Sequence, residues 1–103
     1  MAAADSPREL VIPPEAFTDG ESVEVLRAWI AKADLHCSLK PTIWPDPGNW
    51  GILLADVARH VARAFQQHSG QSPIDSLARI RAAFDAEMDF QTAAPAGGFQ
   101  EPQ

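Results

Sequence analysis

The chain has 103 residues, 46% hydrophobic and 21% charged, which is room for one domain and too apolar for a disordered chain. Acidic residues outnumber basic ones 14 to 8, for a net charge of −6 and a pI near 4.8. Neither nucleic acid nor an anionic membrane is expected as a partner, because both are recruited by a surplus of Lys and Arg. A domain of this size buries only about 60–65% of its unfolded surface, so it gains stability from a partner.

No apolar run approaches the roughly 20 residues of a spanning helix. The first ten residues have neither the basic start nor the apolar stretch of a secretory signal. The single cysteine, Cys37, can form no internal disulfide or multi-thiolate metal site, which fits a reducing, cytoplasmic setting. Residues 1–9 are small and polar, and residues 91–103 mix Gly, Pro, Gln and Ala without periodicity. Both are expected to be disordered tails around a single domain at 10–90.

Within that domain, Leu10-Val11-Ile12 is a β-prone run stopped by Pro13-Pro14. It fits at most a short third edge strand, since proline cannot donate to a ladder. Glu15-Ala16-Phe17 suits one helical turn and Thr18-Asp19-Gly20 a turn.

Residues 23–31 and 35–40 read as two strands joined at Lys32-Ala33. Pairing Ile30 with Leu35, Ala28 with Cys37 and Leu26 with Leu39 puts all six on one face, because strand side chains alternate. Trp29, His36, Arg27, Ser38, Val25 and Lys40 then share the other, mixed face. A competing reading makes 21–31 a helix, since Ser22, Val25, Leu26, Trp29 and Ile30 also fit a helical stripe.

The next segment is helical. Asp46 suits an N-cap and Pro47 the first helical position. Trp50, Leu53, Leu54, Val57, Val61, Ala64 and Phe65 form one stripe at 100° per residue, with Gly70 placed to close the helix. A second helix opens on Ser72-Pro73-Ile74-Asp75, much like a capping box. It carries Ile74, Leu77, Ile80, Phe84 and Met88 as its stripe and ends near Phe90. The expected fold class is therefore α+β: an antiparallel β-hairpin packed on two C-terminal amphipathic α-helices.

The segments LVIPPEAF, VEVLRAWIAKADLHCSLKP, WGILLADVARHVARAF and ARIRAAFDAEM, in this order, resemble a small bacterial family, domain of unknown function 5076. The resemblance spans residues 10–88. It implies a stand-alone bacterial domain of cytoplasmic type and brings no catalytic residues with it.

The residues themselves offer few candidates for chemistry. Asp56 and His60, one helical turn apart, could share a proton or a metal ion, but Arg59 competes for the carboxylate. His36 and Cys37 are adjacent on a strand and point to opposite faces, so they do not form a joint metal site. Cys37 reads as a small buried hydrophobe. Arg81 falls inside the apolar stripe of the second helix, where it either lays its stem along the core edge, bonded to Asp85, or serves as an anion or interface contact. Arg59, Arg63 and Arg79 read as solvated helix faces. Trp44 lies in the Pro-rich loop and joins Arg81 as a candidate ligand contact.

An isolated hairpin is only marginally stable, so the mixed face with Val23, Val25, Trp29 and His36 is expected either to be covered by another part of the chain or to form an interface. No nucleotide loop, zinc signature or nucleophile elbow occurs. No catalytic residue, cofactor or metal site is assigned. The expected function is that of a non-catalytic interaction or accessory protein that forms a homodimer through the hairpin or binds an unidentified protein partner. The alternative is a small-ligand or anion-binding module with a pocket between hairpin and helices.

Overall fold

The computed structural model describes residues 7–90. Of the tails expected at 1–9 and 91–103, residues 1–6 and 91–103 lie outside the described residues, while Glu9 is described and pairs with Arg27. In chain order the elements are a one-turn helix α1 (Glu15–Thr18), strands β1 (Leu26–Ala31) and β2 (Asp34–Leu39), a 3₁₀ turn (Pro41–Ile43), and helices α2 (Gly48–Ser69) and α3 (Pro73–Asp89). The architecture is the α+β hairpin with two C-terminal helices that the sequence predicts.

The hairpin decides between the two readings of 21–31. Residues 26–31 form a strand, paired antiparallel with β2 in the expected register: Leu26 with Leu39, Ala28 with Cys37 and Ile30 with Leu35. One further bond from Lys40 N–H to the Val25 carbonyl (3.1 Å) extends the ladder. The sheet has two strands. Leu10-Val11-Ile12 does not supply a third, and correcting that expectation has a local cause. Pro13-Pro14 follow at once, and α1 begins at Glu15, so the run has no length in which to build a ladder. Its Leu10 and Val11 stand exposed.

The turn of the hairpin is costly. Lys32 and Ala33 adopt φ of 54° and 63°, the left-handed geometry a two-residue hairpin loop requires and Asn-Gly usually supplies. An L-residue with a Cβ is disfavoured there by about 1–2 kcal/mol. Ala33→Gly removes that clash and is expected to stabilise the protein by about 1 kcal/mol, less the added freedom of the unfolded chain. A denaturant midpoint unchanged or lowered would contradict the strain.

The helices start and stop where their cap residues dictate. Asp46 Oδ1 accepts from Gly48 N–H (2.9 Å), so its carboxylate caps α2 although Pro47 occupies the flanking position. At the other end Gly70, φ 76°, turns left-handed and donates its N–H to the Gln66 carbonyl. Ser72 Oγ accepts from Asp75 N–H (3.3 Å), with Pro73 at the first position of α3. The short 70–72 connection makes α2 and α3 antiparallel neighbours.

Packing departs from the expected stacking of hairpin on helices. Elements touch within two pairs, β1 with β2 and α2 with α3. The pairs are linked through the connecting segment, where Trp44 meets Trp50 of α2 edge to face, ring centroids 5.5 Å apart at 78°. Among the described residues the buried side chains are Ala62, 2% exposed, and Ser76, 7% exposed. Both are small, one on each helix, and small residues let two helices approach closely. At 100° per residue, Phe65, Leu54 and Val61 lie about 60–100° around from Ala62, and Val57 about 140°. The stripe that marks α2 as amphipathic thus lies to one side of its most buried residue and borders the space between the helices.

Candidate interaction surface

The exposed stripes of the two helices meet along one groove. Leu54, Val57 and Val61 of α2 line one wall, Leu77, Ile80 and Phe84 of α3 the other, and the space between them is about 680 Å³. Leu54 is 44% exposed, Phe84 50% and Met88 72%. A contiguous apolar surface of this kind is uncommon on a monomer and marks a contact site. Its local origin is plain. The 3.6-residue period of α2 gathers large aliphatics on one line, while its neighbouring line (Gly51, Ala55, Ala58, Ala62) carries only small residues.

Arg81 and Asp85 border the same groove. They are one turn apart, yet no ion pair joins them: the salt bridges among described residues are Arg27–Glu9, Arg27–Glu24 and Arg59–Asp56. The bond expected from Arg81 to Asp85 is therefore absent. A carboxylate C-terminal to its cation is the less favourable order for an i,i+4 pair on a helix. Arg81 remains exposed at the edge of the groove.

A second cavity, about 520 Å³, follows β1. Four consecutive strand residues, Leu26 to Trp29, border it together with residues 8–13. Since alternate strand residues face opposite ways, such a cavity runs along the strand edge. Arg27 clamps this region: it reaches Glu24 at 3.1 Å and Glu9 at 2.6 Å. Its guanidinium is held above its usual pKa, chiefly by the hydrogen bond to Glu24 and by that residue's charge, with Glu9 contributing less.

The other sequence candidates fall as follows. Trp29 and Val23 line the β1 cavity together with residues 8–13, so the N-terminal segment runs beside this edge of the hairpin. Trp29 pairs with His36 across the ladder, and Val25, Trp29 and His36 are half-buried. Trp44 is engaged with Trp50 and borders neither cavity, so it is not brought together with Arg81. Neither cavity lies between hairpin and helices. Asp56 bonds Arg59 at 3.4 Å rather than His60. Cys37 is half-buried as a free thiol. Among the described residues no three His, Cys, Asp or Glu side chains group as metal ligands, and no helix is long and apolar enough to cross a membrane.

The family profile described as "Domain of unknown function (DUF5076)" matches residues 9–92. The chain belongs to that family. Its fold is similar to a solved structure from the photosynthetic bacterium Rhodopseudomonas palustrus CGA009, described as a "putative pyruvate dehydrogenase". The two sequences are 31% identical, the TM-score is 0.72, and the likeness covers 95% of this chain and 98% of that one. Among curated proteins none matches. The groove residues fall within the part of the chain that the DUF5076 profile matches.

Proposed function

We propose that this DUF5076 protein is a non-catalytic interaction module that works as a homodimer, with the helix-pair groove as its principal contact surface. The observation that carries this reading is how little is buried among the described residues: Ala62 and Ser76 are their buried side chains, while large apolar residues of α2 and α3 stay exposed. A chain of 103 residues gains stability when those residues are covered. The surface differs from the hairpin face expected from sequence, and the reason is physical. The hairpin's Trp29 shares a cavity with the N-terminal segment, whereas among the described elements α2 and α3 touch only each other.

The reading places the protein in a bacterial cytoplasm, supported by the lone thiol of Cys37 and by the bacterial source of its solved relative. The dehydrogenase description belongs to the R. palustrus protein. An open groove lined mainly by aliphatic side chains, with one Arg and one Asp at its edge, suits a protein chain better than a small polar substrate that must be shielded from water. Turnover of pyruvate by the purified chain would overturn the non-catalytic part of the reading.

Dimerisation makes unfolding depend on concentration, because the partner binds the folded state alone. The melting temperature is expected to rise by several degrees between about 1 and 100 μM protein. A melting temperature independent of concentration would count against the homodimer.

A further inference from the structure

One line of α3 has a pattern that fits a second copy of itself. Leu77, Arg81, Asp85 and Met88 are spaced four, four and three residues apart and fall within about 80° of one another at 100° per residue. Read along the helix they run apolar, cation, anion, apolar. Read backwards, with the charges exchanged, they run the same way. Arg81 with Asp85, and Leu77 with Met88, are both centred within half a residue of Ala83. Two copies of α3 packed antiparallel about a two-fold axis at that level therefore place Leu77 against Met88 and Arg81 against Asp85, each twice, as an isologous contact demands.

The charges are available for this. Among the described residues neither Arg81 nor Asp85 has an ion-pair partner, and both border the apolar groove. The surface is large enough. Leu54, Val57, Val61, Phe65, Phe84 and Met88 are 38–72% exposed, which leaves on the order of 600 Å² of apolar area per chain. A stable interface buries about 800 Å² per partner. The chain's own termini fit less well: residues 1–6 and 91–103 contain no Lys or Arg to meet Asp85.

We propose that the occupant of the groove is a second copy of this chain, with α3 antiparallel to α3 and Arg81 of each copy paired with Asp85 of the partner subunit. The pairing fixes register and partner choice, while the apolar stripes supply the bulk of the affinity. It rests on the homodimer reading above and adds the geometry of the contact.

Charge reversal tests the geometry separately from the dimer. In Arg81→Asp, two carboxylates face each other at both symmetric contacts; in Asp85→Arg, two guanidinium groups do. Each variant alone is expected to dimerise at least ~100-fold more weakly than wild type, since facing like charges cost several kcal/mol. Mixed in equal amounts, the two variants regain opposite charges at both contacts. Native mass spectrometry is then expected to show a one-to-one heterodimer. Circular dichroism checks that the helices persist, and Arg81→Gln with Asp85→Asn gives the neutral comparison, expected to weaken the dimer by roughly tenfold.

A wild-type chain that is monomeric throughout would overturn the homodimer reading and this inference with it. A wild-type dimer whose two reversed variants self-associate unchanged, or whose mixture forms no heterodimer, would overturn the Arg81–Asp85 pairing and leave self-association standing.

Discussion

Phe84→Asp is expected to leave the protein folded and monomeric. Phe84 is 50% exposed in the single chain, and aspartate and phenylalanine have comparable helix propensity. The helix pair therefore has little reason to unfold, and the far-ultraviolet circular dichroism should keep its helical signal. In a dimer closed over the groove the same substitution buries a carboxylate among Leu54, Val57 and Ile80, which line the groove with it. The cost is about 2 kcal/mol per copy, incurred twice by symmetry, or about 1,000-fold in Kd. Sedimentation velocity distinguishes the outcomes. A Phe84→Asp protein that dimerises as wild type does would remove the groove from the interface.

The second large effect lies in the single chain. Trp44→Ala is expected to lower stability by about 2 kcal/mol, a fall in melting temperature of about 10 °C for a domain of this size. The estimate sits below the cost of truncating a fully buried Trp because Trp44 and Trp50 are both half-buried. Their edge-to-face contact ties the segment that leads out of the hairpin to the first turn of α2. The loss should also appear in the near-ultraviolet circular dichroism, and amide exchange in β1 and β2 should quicken. A thermal midpoint within a degree of wild type would show that the two units are coupled elsewhere.

The sequence made some features legible and left others hidden, for definable reasons. The hairpin register could be read residue by residue because a slip of one position would have moved Leu26, Ala28, Ile30, Leu35, Cys37 and Leu39 to the wrong face. Asp46, Gly70 and Ser72 marked the helix ends because each side chain or backbone meets a local need within three or four residues. What pattern cannot say is which neighbour covers an apolar stripe. Leu54, Val57, Val61 and Phe65 were correctly placed on one face of α2, yet α3 packs near Ala62 instead. Periodicity reports that a face avoids water; it carries no address.

Candidate function shows the same division. Arg81 stood out because a charge inside an apolar stripe is anomalous, and it does border the groove. Its expected bond to Asp85 failed, because two residues on one face need not bond when their order along the helix opposes it. Trp29 stood out as an aromatic on the mixed face of the hairpin. Of the N-terminal segment beside it, held by Glu9 to Arg27, Arg8 and Glu9 belong to the stretch whose polarity predicted a tail, and Leu10 to Pro13 to the expected domain. The small-residue line from Gly51 to Ala62, with its spacings of four, three and four, was the available signal for where a second helix could approach. The large aliphatics beside it dominate any hydrophobicity pattern and mask it.

In the proposed dimer a second copy closes the helix-pair groove. Sedimentation equilibrium of the full 103-residue chain at tens of micromolar tests it most directly. One chain weighs 11.1 kDa; a species of twice that mass is expected. A single species of 11.1 kDa across the whole concentration range would contradict it.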